Sequence, residues 1–336
     1  MKKLRVAVNG FGRIGRHALK VAWEKRHRTR IDIVAVNDLT DTKTLAHLLK
    51  YDTAYAEFPH TVSSDEKHII VDGEKVLVFA EKEPAKLPWK ELKIDVVIES
   101  TGRFTDKVGA SQHLTAGAQR VVISAPGKDA DIQTLVAGVN DDADRGDAVI
   151  DNASCTTNCA APVMRVLENT FGVEKAMLTT IHSYTADQHL VDGPHKDLRR
   201  ARAAAQNIIP TTTGAAKAVG KTIPQLAKIF DGLSIRVPTI TVSLNDTTAL
   251  LKRTTTKEEI NQAFVKASKT YLKGILAVSD MPLVSSDYIG NPYSAIVDLE
   301  LTNVVGGNLI KVIAWYDNEW GYANRLVEMV EMIGSK

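Results

Sequence analysis

A cysteine at the start of a predicted helix is the residue of this chain best suited to chemistry. The run from Asn152 to Cys159 surrounds Cys155 with serine, threonine and asparagine side chains and places it in the first helical turn. Unpaired backbone N–H groups and the positive end of the helix dipole favour a thiolate there. So many polar neighbours are atypical of an apolar burial site. We therefore predict a nucleophilic thiolate at Cys155 and a packed, inert thiol at Cys159.

A histidine is the natural proton acceptor for such a thiol. The run from Thr179 to Thr185 reads as a strand that delivers His182 into a stretch of hydroxyl side chains. An imidazole titrates near neutral pH, so it can take the proton released when a thiol adds to an aldehyde. The pattern predicts that His182 is the general base.

Two further groups of residues are suited to bind anions. Thr211, Thr212, Thr213 and Gly214 precede a helix-forming run of alanines, so hydroxyls coincide with a helix N-terminus. Arg236 interrupts an apolar strand and needs a counter-charge if it turns inward. Either a carboxylate or a bound phosphate can supply that charge.

A glycine-rich turn near the N-terminus predicts a dinucleotide site. The run from Gly10 to Gly15 has GxGxxG spacing, follows a buried strand and opens a helix that extends to about Lys25. Gly10 and Gly12 allow the backbone to approach a pyrophosphate. Asp38, after the second strand, can accept hydrogen bonds from a ribose and would repel a 2′-phosphate. The sequence therefore predicts NAD in preference to NADP.

The elements that must position these residues fall into two predicted domains. An alternating pattern of strands and helices predicts an α/β, Rossmann-type dinucleotide-binding domain over residues 1–151, with a hairpin around Asp72 and Gly73. Longer strand-like runs then predict an α+β catalytic domain with a mixed or antiparallel sheet over residues 152–318. A final amphipathic helix, about 319–336, is predicted to return to the first domain.

Composition excludes several classes of function. The net charge of +2 is too small to indicate a nucleic-acid surface, and no apolar run is long enough for a membrane span. Two cysteines without a His/Cys cluster argue against a disulfide scaffold and against a metal site. The N-terminal run shows no signal-peptide pattern, so we expect a cytoplasmic protein.

Together, a dinucleotide site, an activated thiol, a base and two places for phosphate predict aldehyde oxidation. The thiol adds to the aldehyde to form a hemithioacetal, and loss of a hydride to the nicotinamide leaves a thioester. Attack by phosphate rather than water would release an acyl phosphate.

Several motifs in order along the chain resemble the phosphorylating glyceraldehyde-3-phosphate dehydrogenase family of glycolysis. The resemblance covers essentially the whole length. Its motifs are Asn9 to Arg16, Ala153 to Cys159, Asn207 to Pro210, Thr213 to Lys217 and Trp315 to Tyr322.

The resemblance implies a role for each matching residue and a set of partners. Cys155 would be the nucleophile, with its backbone N–H helping to hold the oxyanion, and His182 the base. Thr185 and Arg236 would bind the phosphate of glyceraldehyde 3-phosphate. Inorganic phosphate would be bound by Ser154, Thr156, Thr213 and Gly214, and NAD by Arg13, Ile14, Asp38, Lys82, Ser124 and Asn318. Members of the family are commonly homotetramers, and the run from Thr185 to Gln206 resembles a loop at their subunit contacts.

Two alternatives stay open on the sequence. Erythrose-4-phosphate dehydrogenase shares the thiol motif and the cofactor site, but the runs around Thr185 and Thr213 resemble the phosphate-handling pattern of the triose enzyme. A non-catalytic nucleotide-binding module is the other alternative. The joint presence of Cys155, His182 and Arg236 argues against it.

Overall fold

The computed structural model of the chain describes residues 3–335. These residues group into two compact units. The first comprises residues 3–135, 143–153 and 323–335, and the second comprises residues 136–142 and 154–322. The domain boundaries proposed above, 1–151 and 152–318, stay a prediction.

The first unit is built on a sheet whose central strands run parallel. Within residues 3–135 and 143–153, its strands are β1 (Leu4–Asn9), β2 (Ile31–Asn37), β3 (Tyr51–Asp52), β4 (Ala56–Glu57), β5 (Val62–Ser64), β6 (His68–Val71), β7 (Glu74–Phe79), β8 (Val96–Glu99), β9 (Arg120–Ile123), β10 (Gln133–Thr134) and β11 (Val149–Asp151). β3 and β4 form a separate pair, and the others form one sheet in the order β10-β11-β9-β8-β1-β2-β7-β6-β5.

Burial on both faces explains the apolar character of the central strands. Every residue of β8 is buried, as are the last four residues of β1, which is typical of parallel strands covered by helices. The helices are α1 (Arg13–Glu24), α2 (Thr42–Lys50) and α3 (Lys107–Thr115). Asp41 and Asp106 cap α2 and α3 by accepting backbone N–H groups.

The hairpin predicted around Asp72 and Gly73 is confirmed. β6 and β7 pair antiparallel, and the two turn residues have φ values of 49° and 85°. Two successive residues in the left-handed region are what a two-residue hairpin turn requires.

Three parallel strands end together at one edge of this sheet. Asn9, the last residue of β1, is the register partner of Asn37 in β2 and of Glu99 in β8. The turns that follow these three positions contain Gly10, Asp38 and Ser100. The carboxyl ends of parallel strands are the usual place for a ligand in such a fold.

The second unit contains a mixed sheet and three helices within residues 154–322. Its strands are β12 (Val173–Ser183), β13 (Ile209–Thr212), β14 (Phe230–Val237), β15 (Ser243–Leu251), β16 (Leu276–Ser279), β17 (Ala295–Val305) and β18 (Leu309–Tyr316). They are arranged in the order β13-β14-β12-β15-β18-β17-β16. The β12/β14 and β16/β17 pairs are parallel and the other pairs antiparallel. The predicted fold class is confirmed.

Helices α4 (Cys155–Phe171), α5 (Ala215–Thr222) and α6 (Lys257–Lys269) belong to this unit, and α4 contacts both α5 and α6. Thr256 caps α6 by accepting the N–H of Glu259, as its sequence predicts. Single turns of 3-10 helix complete the described chain at Pro84–Lys86, Asp141–Ala143, Ala204–Gln206, Pro224–Leu226 and Ser285–Tyr288.

Three elements differ from what the sequence pattern favours. The apolar run at residues 134–139 favours a strand, but only Gln133 and Thr134 pair with a neighbour. The run from residue 239 also favours a strand, but β15 begins only at Ser243, because Val242 has a φ of 67°, in the left-handed region. The last helix, α7 (Trp320–Gly334), was predicted to be amphipathic, whereas its side chains are buried almost all round.

Residues 323–334 of α7 belong to the first unit. Glu328 pairs with Lys25 at 3.1 Å, and the Glu331 carboxylate accepts the backbone N–H of Arg30 at 2.9 Å. Arg120 donates to the carbonyl of Ile333 at 3.0 Å. Polar groups therefore join this buried helix to the end of α1, to the residue before β2 and to β9.

Candidate active site

Cys155 is the first residue of α4, as predicted. Ser154 is the N-cap, and its hydroxyl accepts the backbone N–H of Thr157 at 3.1 Å. Ala153, which precedes the cap, has a φ of 53°. A non-glycine residue in the left-handed region costs energy, and such residues cluster at functional sites. This strained turn leads directly into the thiol-bearing helix.

The structure brings Cys155 and His182 into contact. The Cys155 Sγ atom lies 3.4 Å from Nε2 of His182, which is buried near the end of β12. On the other side of the ring, Nδ1 lies 2.7 Å from the carbonyl of Ser183. In the tautomer with the hydrogen on Nδ1, Nε2 presents its lone pair to the sulfur.

Arg236 completes this cluster from the neighbouring strand. It is the register partner of His182 in the parallel β12/β14 pair. Its Nη1 atom donates to the carbonyl of Ser183 at 3.1 Å and lies 2.8 Å from Nδ1 of His182. The predicted nucleophile, base and phosphate-binding cation are thus adjacent.

Burial at this position opposes the predicted thiolate at Cys155. Burial raises the pKa of the Cys155 thiol, and the charge of Arg236 and hydrogen bonds at Thr156 only partly oppose that effect. Burial, followed by the Arg236 charge, lowers the pKa of His182 to about 3. Both shifts favour a thiol that faces a neutral imidazole, which is free to accept the proton.

A buried tyrosine packs against His182 and binds the hydroxyl of Thr156, the residue after Cys155. The Tyr316 hydroxyl lies 3.0 Å from Thr156 Oγ1 and 2.8 Å from Thr180 Oγ1. Its ring meets the His182 ring edge-on, with centroids 6.0 Å apart. The Thr156 hydroxyl is therefore directed into the interior. Sequence reasoning gave Tyr316 no role, although it lies in one of the family motifs.

Asn318 lies in the same cluster. Its Oδ1 atom accepts from the hydroxyls of Ser183 at 3.0 Å and Ser243 at 2.9 Å. The side chain is buried. Two donors on one carbonyl oxygen fix the orientation of the amide, which is what a residue presented to a nicotinamide carboxamide requires.

The predicted anion-binding residues Thr213 and Gly214 lie at the start of α5. Gly214 is its N-cap, and Thr213 Oγ1 accepts the N–H of Ala215 at 3.2 Å. Thr185 follows β12, and its carbonyl accepts the N–H of Gln188 at 2.9 Å. A helix N-terminus favours an anion through its unpaired N–H groups.

Arg200 is a functional candidate that sequence reasoning missed. It donates to Thr211 Oγ1 at 2.9 Å and to the Thr212 carbonyl at 3.2 Å. Its charge lowers the pKa of both His182 and Arg236. Its only signal in the sequence is that it is one of several cations near Asp197, in the run that resembles a subunit-contact loop.

In the first unit, a cleft of about 310 Å³ opens at the carboxyl ends of β1, β2 and β8. Four predicted residues, Gly10, Gly12, Asp38 and Lys82, line it. Sequence reasoning missed Asn9, Asn37, Glu81, Ser100, Thr101 and Phe104, which line it as well. Their common signal is position, because each lies at or just after the end of a strand.

The geometry of this cleft fits a dinucleotide. Gly10 has a φ of 90°, and a Cβ there would come within 2.6 Å of Thr101 N. At Gly12 a Cβ would meet nothing within 4 Å, so space remains beside the N-terminus of α1. Asp38 is held by the N–H groups of Phe11 at 2.8 Å and Thr40 at 3.0 Å. A bare glycine, a helix N-terminus and an oriented carboxylate are the parts of a site for NAD.

Three other residues assigned to the cofactor lie elsewhere in this unit. Arg13 pairs with Asp52 at 2.7 Å. Ile14 belongs to the first turn of α1, and Ser124 follows β9, with its N–H on the Glu99 carbonyl at 2.9 Å. None of the three is among the residues that line the cleft.

Residues 3–335 contain neither a metal-binding group of side chains nor a membrane-spanning helix. Within that range, no three His, Cys, Asp or Glu side chains are grouped so that they could bind a metal ion. In the same part of the chain, every helix is too short or too polar to cross a membrane.

Comparisons with known proteins agree with this geometry. The family model "Glyceraldehyde 3-phosphate dehydrogenase, NAD binding domain" matches residues 4–107, and the model of the C-terminal domain of the same family matches residues 154–318. A glyceraldehyde-3-phosphate dehydrogenase from Thermotoga maritima is 54% identical over 330 residues, 98% of each chain. The chloroplastic "Glyceraldehyde-3-phosphate dehydrogenase A" of Chlamydomonas reinhardtii is 51% identical over 100% of this chain and 90% of its own. The chain therefore belongs to the glyceraldehyde-3-phosphate dehydrogenase family.

Proposed function

We propose that this protein catalyses the NAD-dependent, phosphorylating oxidation of glyceraldehyde 3-phosphate to 1,3-bisphosphoglycerate, a step of glycolysis and gluconeogenesis. The observation that carries the proposal is the 3.4 Å contact between Cys155 Sγ and His182 Nε2 at the start of α4, beside Arg236. This reaction needs a thiol as nucleophile, an imidazole as base and a cation that can bind a phosphate group.

The cofactor is NAD, and this chain offers residues to hold it. Gly10 and Gly12 would leave room for the pyrophosphate, and Asp38 would accept hydrogen bonds from the ribose. Lys82 lies on the rim of the same cleft. The family resemblance adds Arg13, Ile14, Ser124 and Asn318. When bound, NAD accepts the hydride that the substrate loses.

Cys155 and His182 exchange one proton during the oxidation. As the sulfur bonds to C1 of the aldehyde, its proton passes to Nε2 of His182, and the Cys155 N–H helps to hold the oxyanion. The imidazolium then protonates that oxygen to give the hemithioacetal. As C1 loses its hydride, His182 takes the hydroxyl proton, and a thioester remains on Cys155.

Phosphate groups are bound at two places in this proposal. Arg236 and Thr185 bind the phosphate of the substrate. Thr213 and Gly214, at the N-terminus of α5, bind the inorganic phosphate, whose oxygen attacks the thioester carbon and releases Cys155 with a proton from His182. The Ser154 and Thr156 hydroxyls are assigned to the same phosphate by resemblance, and both also have intramolecular partners.

A steady-state NADH assay with glyceraldehyde 3-phosphate, with and without inorganic phosphate, tests the proposal. We expect turnover that depends on phosphate. Turnover on erythrose 4-phosphate alone would identify the sister activity instead, and the absence of turnover on either aldehyde would leave only a nucleotide-binding module.

Replacement of the nucleophile tests the chemistry directly. We expect Cys155→Ser to reduce turnover by about a thousandfold or more, because a serine hydroxyl is a far weaker nucleophile without further activation. Cys159→Ser is the matched control, since that thiol is buried with a pKa raised well above its ordinary value. Its turnover should stay within about twofold of the parent, and loss of activity in Cys159→Ser alone would contradict the assignment.

The protein is also proposed to work as a homotetramer in the cytoplasm. Leu190 and Leu198, each 81% exposed, lie in the run that resembles the family's subunit contact. Exposed leucines are consistent with a covered surface in an assembly. Two free thiols suit a reducing compartment. Sedimentation equilibrium would give the number of subunits.

A further inference from the structure

A chain of buried side chains crosses the sheet beneath the nucleotide cleft. Asn37, Asn9 and Glu99 are the last residues of β2, β1 and β8. Asn37 Nδ2 donates to Asn9 Oδ1 at 2.7 Å, and Asn9 Nδ2 donates to Glu99 Oε2 at 2.5 Å. These hydrogen bonds join three parallel strands at the edge where they meet the cleft.

The Glu99 carboxylate is the centre of this chain. Besides Asn9, it accepts the Thr101 N–H at 2.8 Å, the Thr101 hydroxyl, and His113 Nε2 at 3.1 Å. Hydrogen bonds from four donors compensate a fully buried carboxylate without requiring a cation. Thr101 belongs to the turn that packs against Gly10, so Glu99 also fixes that turn.

His113 can have one tautomer only. Trp89 Nε1, an obligate donor, lies 3.0 Å from His113 Nδ1. Nδ1 therefore accepts, and Nε2 carries the hydrogen that it donates to Glu99. His113 and Trp89 are both fully buried, and neither lines the cleft. His113 donates to Oε2 of Glu99, the oxygen that also accepts from Asn9, so the two buried rings help to fix the carboxylate that holds Asn9.

At its other end the chain reaches Glu81. Asn37 Nδ2 donates to the Glu81 carbonyl at 2.9 Å, and the Glu81 N–H donates to Asn37 Oδ1 at 2.9 Å. Glu81, Asn37, Asn9 and Thr101 all line the cleft. A single connected set of hydrogen bonds therefore holds four cleft-lining residues and ends on Trp89.

We propose that Glu99, His113 and Trp89 are positioning residues for the cofactor, which set NAD affinity without touching NAD. The proposal rests on the NAD site of the proposed function. A supporting group of this kind orients the residues that bind, so its loss weakens binding more than it changes chemistry at Cys155.

Calorimetric titration of the full-length protein with NAD tests the proposal. We expect His113→Phe, which keeps a ring but removes both hydrogen bonds, to weaken NAD binding about tenfold or more. His113→Gln, whose amide can still donate to Glu99, should recover part of that loss. Ile94→Val, in the same apolar cluster as Trp89, is the control and should bind NAD as the parent does.

Two further measurements separate positioning from general damage. The rate of Cys155 alkylation by iodoacetamide should be the same in all variants, because that thiol lies in the other unit. Nitrogen-15 NMR of His113 should show a hydrogen on Nε2 and none on Nδ1, and this measurement needs no variant to fold.

The outcomes are distinguishable. Unchanged NAD affinity in His113→Phe, or a hydrogen on Nδ1, would overturn the positioning role while the proposed function stands. If the parent protein itself does not bind NAD, the proposed function fails instead.

Discussion

Arg236 acts on both partners of the proton transfer. Its charge lowers the pKa of Cys155, which favours the thiolate, and lowers the pKa of His182, which disfavours the imidazolium. One cation therefore helps the sulfur to lose its proton and keeps the imidazole of His182 unprotonated. A single side chain, which is also proposed to bind the substrate phosphate, thus influences the acid–base state of the site.

Replacement of Arg236 separates these effects. We expect Arg236→Gln to move the pH profile of Cys155 alkylation to higher pH, because the thiolate loses the nearby positive charge. Arg202→Gln is the matched control, since Arg202 belongs to an exposed pair with Asp192. Stopped-flow alkylation across pH 6 to about 10 measures both profiles. A shift of the Arg236→Gln profile to lower pH would contradict the electrostatic assignment.

Asp38 should decide between the two nicotinamide cofactors. Its carboxylate is oriented by the Phe11 and Thr40 N–H groups and lines the cleft. We expect Asp38→Ala to improve the ratio of kcat/KM for NADP to that for NAD by about tenfold or more, because a like charge no longer faces the 2′-phosphate. Asp41→Ala removes a nearby carboxylate that only caps α2. An equal change in both variants would argue against a specific role for Asp38.

At the scale of elements, the glycine turn before α1 combines two different requirements. A Cβ on Gly15 would come within 2.2 Å of the Gly10 carbonyl oxygen, whereas a Cβ on Gly12 would meet open space. Gly15 is therefore needed for packing of the helix against the turn. Gly12 is needed only where a ligand approaches the backbone.

Alanine at each position should separate folding from binding. We expect Gly15→Ala to lower the free energy of unfolding by about 1–3 kcal/mol through overpacking. Gly12→Ala should leave that free energy within about 0.5 kcal/mol of the parent but weaken NAD binding, because its methyl group occupies the space beside the pyrophosphate. Urea unfolding and calorimetry measure the two quantities. Normal NAD affinity in Gly12→Ala would show that the cofactor does not approach this residue.

Local signals explain which elements could be predicted from the sequence. The start of α4 depends on the Ser154 cap, and α6 depends on the Thr256 cap, so both follow from a few adjacent residues. The late start of β15 depends on the left-handed backbone of Val242, a β-branched residue whose own preference is for strand. Tertiary packing overrides that preference, and a single sequence does not display the packing.

At the scale of the molecule, buried His182 should make the protein sensitive to acid. The folded pKa is about 3, whereas a histidine in an unfolded chain titrates near pH ~6.5. The folded state therefore binds fewer protons between these values. The stability associated with His182 is fully present above about pH 6.5 and is lost as the pH falls towards 3.

Removal of this histidine should flatten the pH dependence. Between about pH 6 and 4, the free energy of unfolding of the parent should include a decline of about 1.4 kcal/mol per pH unit that His182→Gln lacks. His27→Gln removes an exposed histidine and is the control. Urea unfolding at a series of pH values gives the slopes. Equal slopes in the parent and His182→Gln would contradict the depressed pKa.

The sequence predicts the candidate site only where a residue type and its local pattern together indicate a function. Cys155, His182 and Asp38 carry distinctive chemistry in distinctive local patterns. By contrast, the contact of Asn9 with Glu99 joins residues 90 apart, and that of Glu99 with His113 depends on how α3 packs. Ordinary residue types joined across strands give no signal in one sequence. The desolvation that opposes a thiolate at Cys155 gives no signal for a related reason, since the helix start is local but the burial is not.

The unequal exposure of the two thiols allows intact active sites to be counted by alkylation. Cys155 retains some exposure, and Cys159, one turn further along α4, is fully buried against the carbonyl of Ala314. A small alkylating reagent should consequently modify native chains once each. Mass spectrometry gives the fraction of chains that carry one label. Comparison of that fraction with the loss of turnover would then show what fraction of the chains in a preparation is catalytically active.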